Sequence, residues 1–203
     1  MLAIKLSGFR TGVYPRKQAG VAAVEFAMLA VIFFMFVFGI IELARLLYVF
    51  NTLQEVTRRA AGAAASIYAT DSPAVARAKQ YAIFRNDPGE LILAPPITDQ
   101  HIRLEYLRFD LSIISPATLP ADAAANRGLC MTNPHAANCI RFVQAQVCDP
   151  AEADRCSPVR FQMLLPLVDL RMPLQKATTI APIESFGYVP GTLPPVPPAC
   201  PCP

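Results

Sequence analysis

Seven residues stand out by type and position as able to do chemistry. Six are the cysteines Cys130, Cys139, Cys148, Cys156, Cys200 and Cys202, and the seventh is Glu25, an ionisable residue inside an apolar run. The cysteines can form disulfides or, with His135, hold a soft metal ion. The spacing argues against a structural zinc site, because such sites use tight Cys-x2-4-Cys pairs and Cys130, His135, Cys139 and Cys148 show none. Disulfides are therefore expected, and the favoured pairing is local. One bridge would join Cys130 to Cys139 around Asn133 and Pro134, and the other Cys148 to Cys156 around the polar turn DPAEADR. Cys200 and Cys202 are too close to bridge without strain, so they pair with a partner or stay reduced.

Catalysis is not expected. The sequence has no Gly-rich phosphate loop, no HExxH and no GxSxG, and only two histidines, His101 and His135. Glu105, Asp110, Asp149, Glu152 and Asp154 are scattered and read as solvated surface. The net charge of +3 comes partly from the basic residues before position 20, so no nucleic-acid stripe forms. Neither a cofactor nor a small-molecule substrate is implied.

The element that positions Glu25 is the run VAAVEFAMLAVIFFMFVFGII, residues 21–41. As a helix it would extend about 31 Å, the thickness of a bilayer core. It has no polar stripe, which a buried helix of a soluble protein would keep. A secretory signal would have a shorter apolar region, of about 7–15 residues, with a small-residue cleavage site after it. A single membrane span is the expectation. Lys5, Arg10, Arg16 and Lys17 precede it, whereas Glu42 and Arg45 follow nearly balanced, so the N-terminus is read as cytoplasmic. All six cysteines then lie on the exported side, where disulfides persist.

The residues RKQAG followed by VAAVEF resemble a type IV prepilin processing site, where a dedicated peptidase cuts after a glycine on the cytoplasmic face. The resemblance makes Gly20 the last leader residue, Val21 the new N-terminus, Glu25 the fifth mature residue, and Phe26 its neighbour. A carboxylate within a span is costly and usually has a partner or a task. Two readings of Glu25 stand: it pairs with the freed α-ammonium of Val21, in its own chain or a neighbour's, or it snorkels from its shallow depth of about 6 Å.

The residues beyond the span narrow the resemblance. With Ala23, Val24, Glu25 and Phe26, the positions Glu42, Arg45, Tyr48, Asn51, Thr52, Arg58 and Ala60 resemble the TadE-like family of pilus assembly proteins. The stretch MLLPLVDLRMPLQKATTIAPIESFGYVPG, residues 163–191, also resembles the end of such chains. The resemblance implies a minor pilin or pseudopilin of a tight-adherence (Flp-type) pilus, with the membrane, other pilus or pseudopilus subunits and a prepilin peptidase as partners. Glu25, Glu42, Arg45 and Asn51 would then mark the assembly helix. Major Flp pilins are very short, so a minor component fits better. The alternatives are an unprocessed single-pass periplasmic protein and a type II secretion minor pseudopilin.

The residues alone also give an architecture. Leu43, Leu46, Leu47, Phe50, Leu53, Val56, Ala60, Ala64 and Ile67 recur at three- and four-residue steps, predicting an amphipathic continuation of the span over 42–70. The small residues 60–65 either admit a close neighbour or simply favour helix. Asp71, Ser72 and Pro73 predict a new helix over 73–84, stopped by Asn86, Asp87, Pro88 and Gly89. Alternation predicts strands near 101–113, 140–147 and 159–165. The expected fold is α+β: a long N-terminal helix whose first half spans the membrane, then a small exported antiparallel sheet stapled by disulfides. The parts are a leader 1–20, span 21–41, helical continuation 42–70, exported domain 71–189 and Pro-rich tail 190–203. The tail, half proline, favours an extended form.

Overall fold

Between Gln18 and Ser72 the sequence contains no proline, and most of it is Ala, Leu, Phe, Val and Ile. In the computed structural model this stretch forms one helix, α1, Ala19–Ala65. The structure describes residues 19–152, 155–163 and 172–187. The chain divides into two units, Met1–Ile41 and Glu42–Pro203.

In the first unit, α1 is apolar apart from Glu25 and largely exposed, with Phe33 and Phe34 meeting edge-on and Phe34 stacked on Phe38. It is long and apolar enough to cross a membrane. The leader's residues 1–18 lie outside the described residues, as do Cys200, Cys202 and the Pro-rich tail.

The second unit is α+β. Its core is a stripe on α1 made by Leu46, Val49, Leu53, Val56, Ala60, Ala61, Ala64 and Ala65, all buried. The stripe is rotated from the one the sequence predicts. Leu43 and Leu47 are exposed, while Val49 is fully buried, because the packed face also takes in Glu42, Arg45 and Thr57. The polar residues hide the true face from a reading by hydrophobicity. Each fully buried Val or Leu here contributes about 1.5–3 kcal/mol.

α1 ends at Ala65, short of the expected 70. Its last carbonyls are capped from a distant segment: Glu184 N and Phe186 N each donate to Ala65 O at 3.2 Å, and Gly187 N donates to Ser66 O at 2.9 Å. Gly187 has φ +78°, and a Cβ there would come within 3.1 Å of Tyr68 N, so this cap needs glycine.

α2 is Ser72–Ala82, with Asp71 as its N-cap accepting from Ala74 N at 3.1 Å. It stops before the expected Phe84, which sits at φ +62° beyond the helix end. Tyr81 is exposed, and the Arg59 guanidinium lies over both the Tyr81 and Phe84 rings at 4.1 and 4.3 Å.

The sheet has the order β1-β2-β3, all antiparallel, with β1 Ile102–Leu107, β2 Phe142–Val147 and β3 Thr178–Pro182. The register sets Ile102 opposite Val147, Leu104 opposite Ala145 and Tyr106 opposite Val143, so alternate side chains of one face turn to α1. The other face carries Arg103, Glu105 and Gln146, joined by an ion pair at 3.0 Å and a hydrogen bond at 2.8 Å.

Two strand expectations need correction, and one strand was not foreseen. The alternation over 101–113 ends at Leu107, because Asp110 Oδ1 accepts from Ser112 N and Oγ at 3.0 and 2.6 Å and folds the chain back on itself. Residues 159–163 form only an isolated bridge, Arg160 to Pro173; residues 164–171 lie outside the described set. The third strand is instead Thr178–Pro182, too short to show a clear alternation and closed by a proline that only an edge strand tolerates.

A third helix, α3, Ala123–Thr132, was not foreseen. Asp122 caps it through Ala125 N at 2.7 Å. The Cys130–Cys139 disulfide therefore ties the last turn of a helix to the lead-in of β2, rather than closing a plain loop. Cys148–Cys156 forms just after β2. Buried Asn126 reinforces the first bridge by pairing like a strand with Ile140, accepting from its N–H at 2.9 Å and donating to its carbonyl at 3.3 Å.

Candidate functional site

Gly20, Val21, Glu25 and Phe26 occupy the first two turns of α1, all exposed. A helix places residues i and i+4 on one face and tilts side chains toward its N-terminus. Glu25 is four residues after Val21, so its carboxylate leans back over the turn in which Val21 would present a freed α-ammonium. The unpaired N–H groups of that turn also favour a negative charge. The arrangement can hold an ion pair at a helix start, within one chain or between neighbouring helices.

Two charged residues of the second unit are arranged differently. Glu42 and Arg45 stand one turn apart, and each is more than nine-tenths buried. Arg45 Nε donates to Leu93 O at 2.8 Å, and its Nη1 donates to Gln162 O at 2.7 Å and lies 3.4 Å from Glu42 Oε2. The guanidinium also sits 4.6 Å from the centre of the Phe161 ring. Its Nη2 is buried with no hydrogen-bond partner among the described residues; the aromatic face offsets part of that loss. One arginine thus fastens the 91–97 and 159–163 segments to the start of α1 in this unit. Sequence reading marked Glu42 and Arg45 as assembly-helix residues. The structure places both beneath the domain carried by α1.

Asn51, the fourth marked residue of the helix, is exposed. With Tyr48, Thr52 and Glu55 it borders an open apolar groove of about 450 Å³, closed on the far side by Phe84, Leu91 and Ile92. Thr52 Oγ1 donates to Tyr48 O at 2.8 Å. The structure does not pair Asn51 with Glu42 or Arg45, which are buried where Asn51 is exposed.

Farther along, Thr57 is fully buried and its hydroxyl meets that of Thr179 on β3 at 2.9 Å, a second polar tie between α1 and the sheet. Sequence reading missed Thr57 because a lone threonine on a helix carries no signal. Leu93 and Gln162 were missed for a different reason: they act through backbone carbonyls, which no residue type reveals. His135, named with the cysteines as a possible metal ligand, is exposed and meets the Phe109 ring edge-on at 4.8 Å.

Residues 20–62 match the family described as TadE-like protein. The match falls wholly within α1 and contains Gly20, Glu25, Glu42, Arg45 and Asn51, so this segment of the chain is TadE-like. The stretch 163–191 lies outside it. No curated protein and no solved structure matches the chain.

Proposed function

We propose that this chain, a Tad pilus-associated protein by the match over its first helix, is a minor pilin- or pseudopilin-like component that assists assembly of a tight-adherence type IV pilus. It resides in the inner membrane as a single-pass protein, with its N-terminus cytoplasmic and the domain after residue 42 periplasmic or extracellular. A prepilin peptidase removes residues 1–20, and the mature helix beginning at Val21 then packs beside the helices of other pilus or pseudopilus subunits. The protein acts by assembly, not by catalysis.

The observation that carries this reading is the confinement of the family match to α1, where a glycine, a carboxylate five residues later and a membrane-length apolar run stand in one unbroken helix. The two disulfides favour an oxidising compartment, which supports the orientation.

The reading is tested in the host by shearing surface fibres and probing them for this chain, with and without the gene. Its presence in or at the base of fibres, and a fall in fibre number on deletion, are expected. A protein that stays wholly in the membrane fraction, with fibre number unchanged on deletion, would instead be a membrane-anchored periplasmic protein that never polymerises.

A further inference from the structure

The groove beside Asn51 is faced with rings and an aliphatic side chain: Tyr48, Phe84 and Ile92 border it and are 41%, 45% and 55% exposed. Phe84 is held at its rim by a backbone φ of +62° and by the Arg59 guanidinium, 4.3 Å from the ring centre. The Thr52 hydroxyl is already given to Tyr48 O. The Asn51 amide and the Tyr48 hydroxyl are therefore the donors the groove offers to an occupant. A groove of aromatic rings flanked by hydrogen-bond donors suits a polyproline segment, whose rings pack and whose carbonyls accept. Two other cavities, of about 360 and 330 Å³, are bordered instead by Arg58 and Lys176 and by Arg127, Arg141 and Glu184.

We propose that the occupant of this groove is the chain's own Pro-rich tail, with residues 194–198, PPVPP, seated against Tyr48, Phe84 and Ile92. Sixteen residues follow Gly187, and none of them is charged. Their starting point is fixed, because Gly187 N donates to Ser66 O at 2.9 Å, just past the end of α1. Asn51 lies about 22 Å back along the helix from Ser66. An extended polyproline segment rises about 3.1 Å per residue, so residues 188–194 cover that distance and bring PPVPP to the groove. Between the two points Gly62 is exposed, and a Cβ added there would meet nothing within 4 Å, so α1 is open at that turn. The prolines have no N–H to leave unpaired against apolar walls, and their carbonyls accept from Asn51 and Tyr48. An uncharged segment also loses no charge solvation there, whereas it has no ion pair to offer the charged rims of the other two cavities. A tether whose length matches the span gives an effective concentration on the order of mM, which is why the tail is chosen over a second copy of the chain. The inference concerns the second unit alone and does not rest on the pilus reading.

The full-length chain in detergent micelles, with the photo-crosslinker p-benzoylphenylalanine in place of Val196, tests this. It is prepared as an equal mixture of light and heavy-isotope protein, irradiated, and mapped by mass spectrometry. Crosslinks from the tail to segments 48–55 and 84–92, joining peptides of the same isotopic form, are expected. Their yield should fall at least about tenfold with Asn51→Arg, which places a cation in the groove, equivalent to a tenfold weaker site. It should fall as far when Pro194→Gly, Pro195→Gly, Pro197→Gly and Pro198→Gly are combined, a change that leaves every residue of the folded domain in place. Crosslinks scattered over the domain, absent from both segments, or unmoved by the glycine variant would overturn the docking. Groove crosslinks that join light to heavy chains would overturn it in favour of a second copy. The readout does not involve fibres, so its failure leaves the pilus reading standing.

Discussion

Arg45 on α1 and Leu93, forty-eight residues later, are joined by a 2.8 Å hydrogen bond from a guanidinium to a backbone carbonyl. This bond, together with the one to Gln162 O, ties two segments of the domain to a single side chain within the matched stretch of α1. The match ends at residue 62, yet one of its charged residues is used to hold sequence that lies outside it.

Arg45→Ala is expected to destabilise the domain by roughly 3–5 kcal/mol, the usual cost of removing one member of a buried ion pair. Urea unfolding of the full chain in micelles measures this. Glu42→Leu with Arg45→Met should recover most of the loss, since an apolar pair leaves no buried charge. A double variant no more stable than Arg45→Ala would show that the carbonyl bonds, not the charges, dominate.

The two disulfides close loops of 9 and 8 residues, and each should contribute about 2.5 kcal/mol by chain entropy. Cys130→Ser with Cys139→Ser, and separately Cys148→Ser with Cys156→Ser, should each lower the thermal midpoint. Reduction of the unmutated chain should approach the combined effect. An unchanged midpoint for either pair would mean that bridge is absent in solution.

His101 gives the domain a pH dependence. Its Nδ1 accepts the Thr98 N–H at 3.0 Å, which a proton on that nitrogen would prevent. Burial holds its pKa below the ordinary value, with the Asp149 and Asp99 carboxylates pulling the other way. The unfolded chain therefore takes up the proton first. Stability should be full above about pH 6.5 and decline as pH falls through it, levelling below the folded-state pKa. His101→Gln should flatten melting midpoints between about pH 7 and pH 5, although other groups still titrate lower. A slope unchanged by His101→Gln would remove His101 as its source.

Glu25→Ala should leave membrane insertion intact, since it removes the only charged side chain from residues 21–41. Incorporation into sheared fibres should fall at least about tenfold, equivalent to about 1.4 kcal/mol of lost pairing. Normal incorporation would return Glu25 to the snorkelling reading.

Much of this was legible in the sequence because it rests on local pattern. A helix long and apolar enough to cross a membrane needs only length and apolar composition. β1 and β2 show as alternation, and both disulfides join cysteines placed close together on either side of short polar segments. The failures share a cause, which is that the deciding contact is distant in sequence. Val49 rather than Leu47 faces the core because Glu42, Arg45 and Thr57 are drawn in by carbonyl and hydroxyl partners more than a hundred residues away in the case of Gln162 and Thr179. β3 exists because β2 offers it an edge, and five residues ending in proline could not announce that. α3 did carry a local signal, Asp122 before a run of alanines, which the neighbouring cysteines overshadowed. At the site, Gly20 and Glu25 were visible as a motif, whereas the clamp was not, since two of its partners are main-chain oxygens.

The N-terminal residue of the protein recovered from its native membrane is the most direct test of the central claim, that α1 is a processed assembly helix. Edman sequencing or intact mass should give a chain beginning at Val21, and inactivating the host's prepilin peptidase should restore a chain beginning at Met1. A chain beginning at Met1 in wild-type cells that form fibres normally would contradict it.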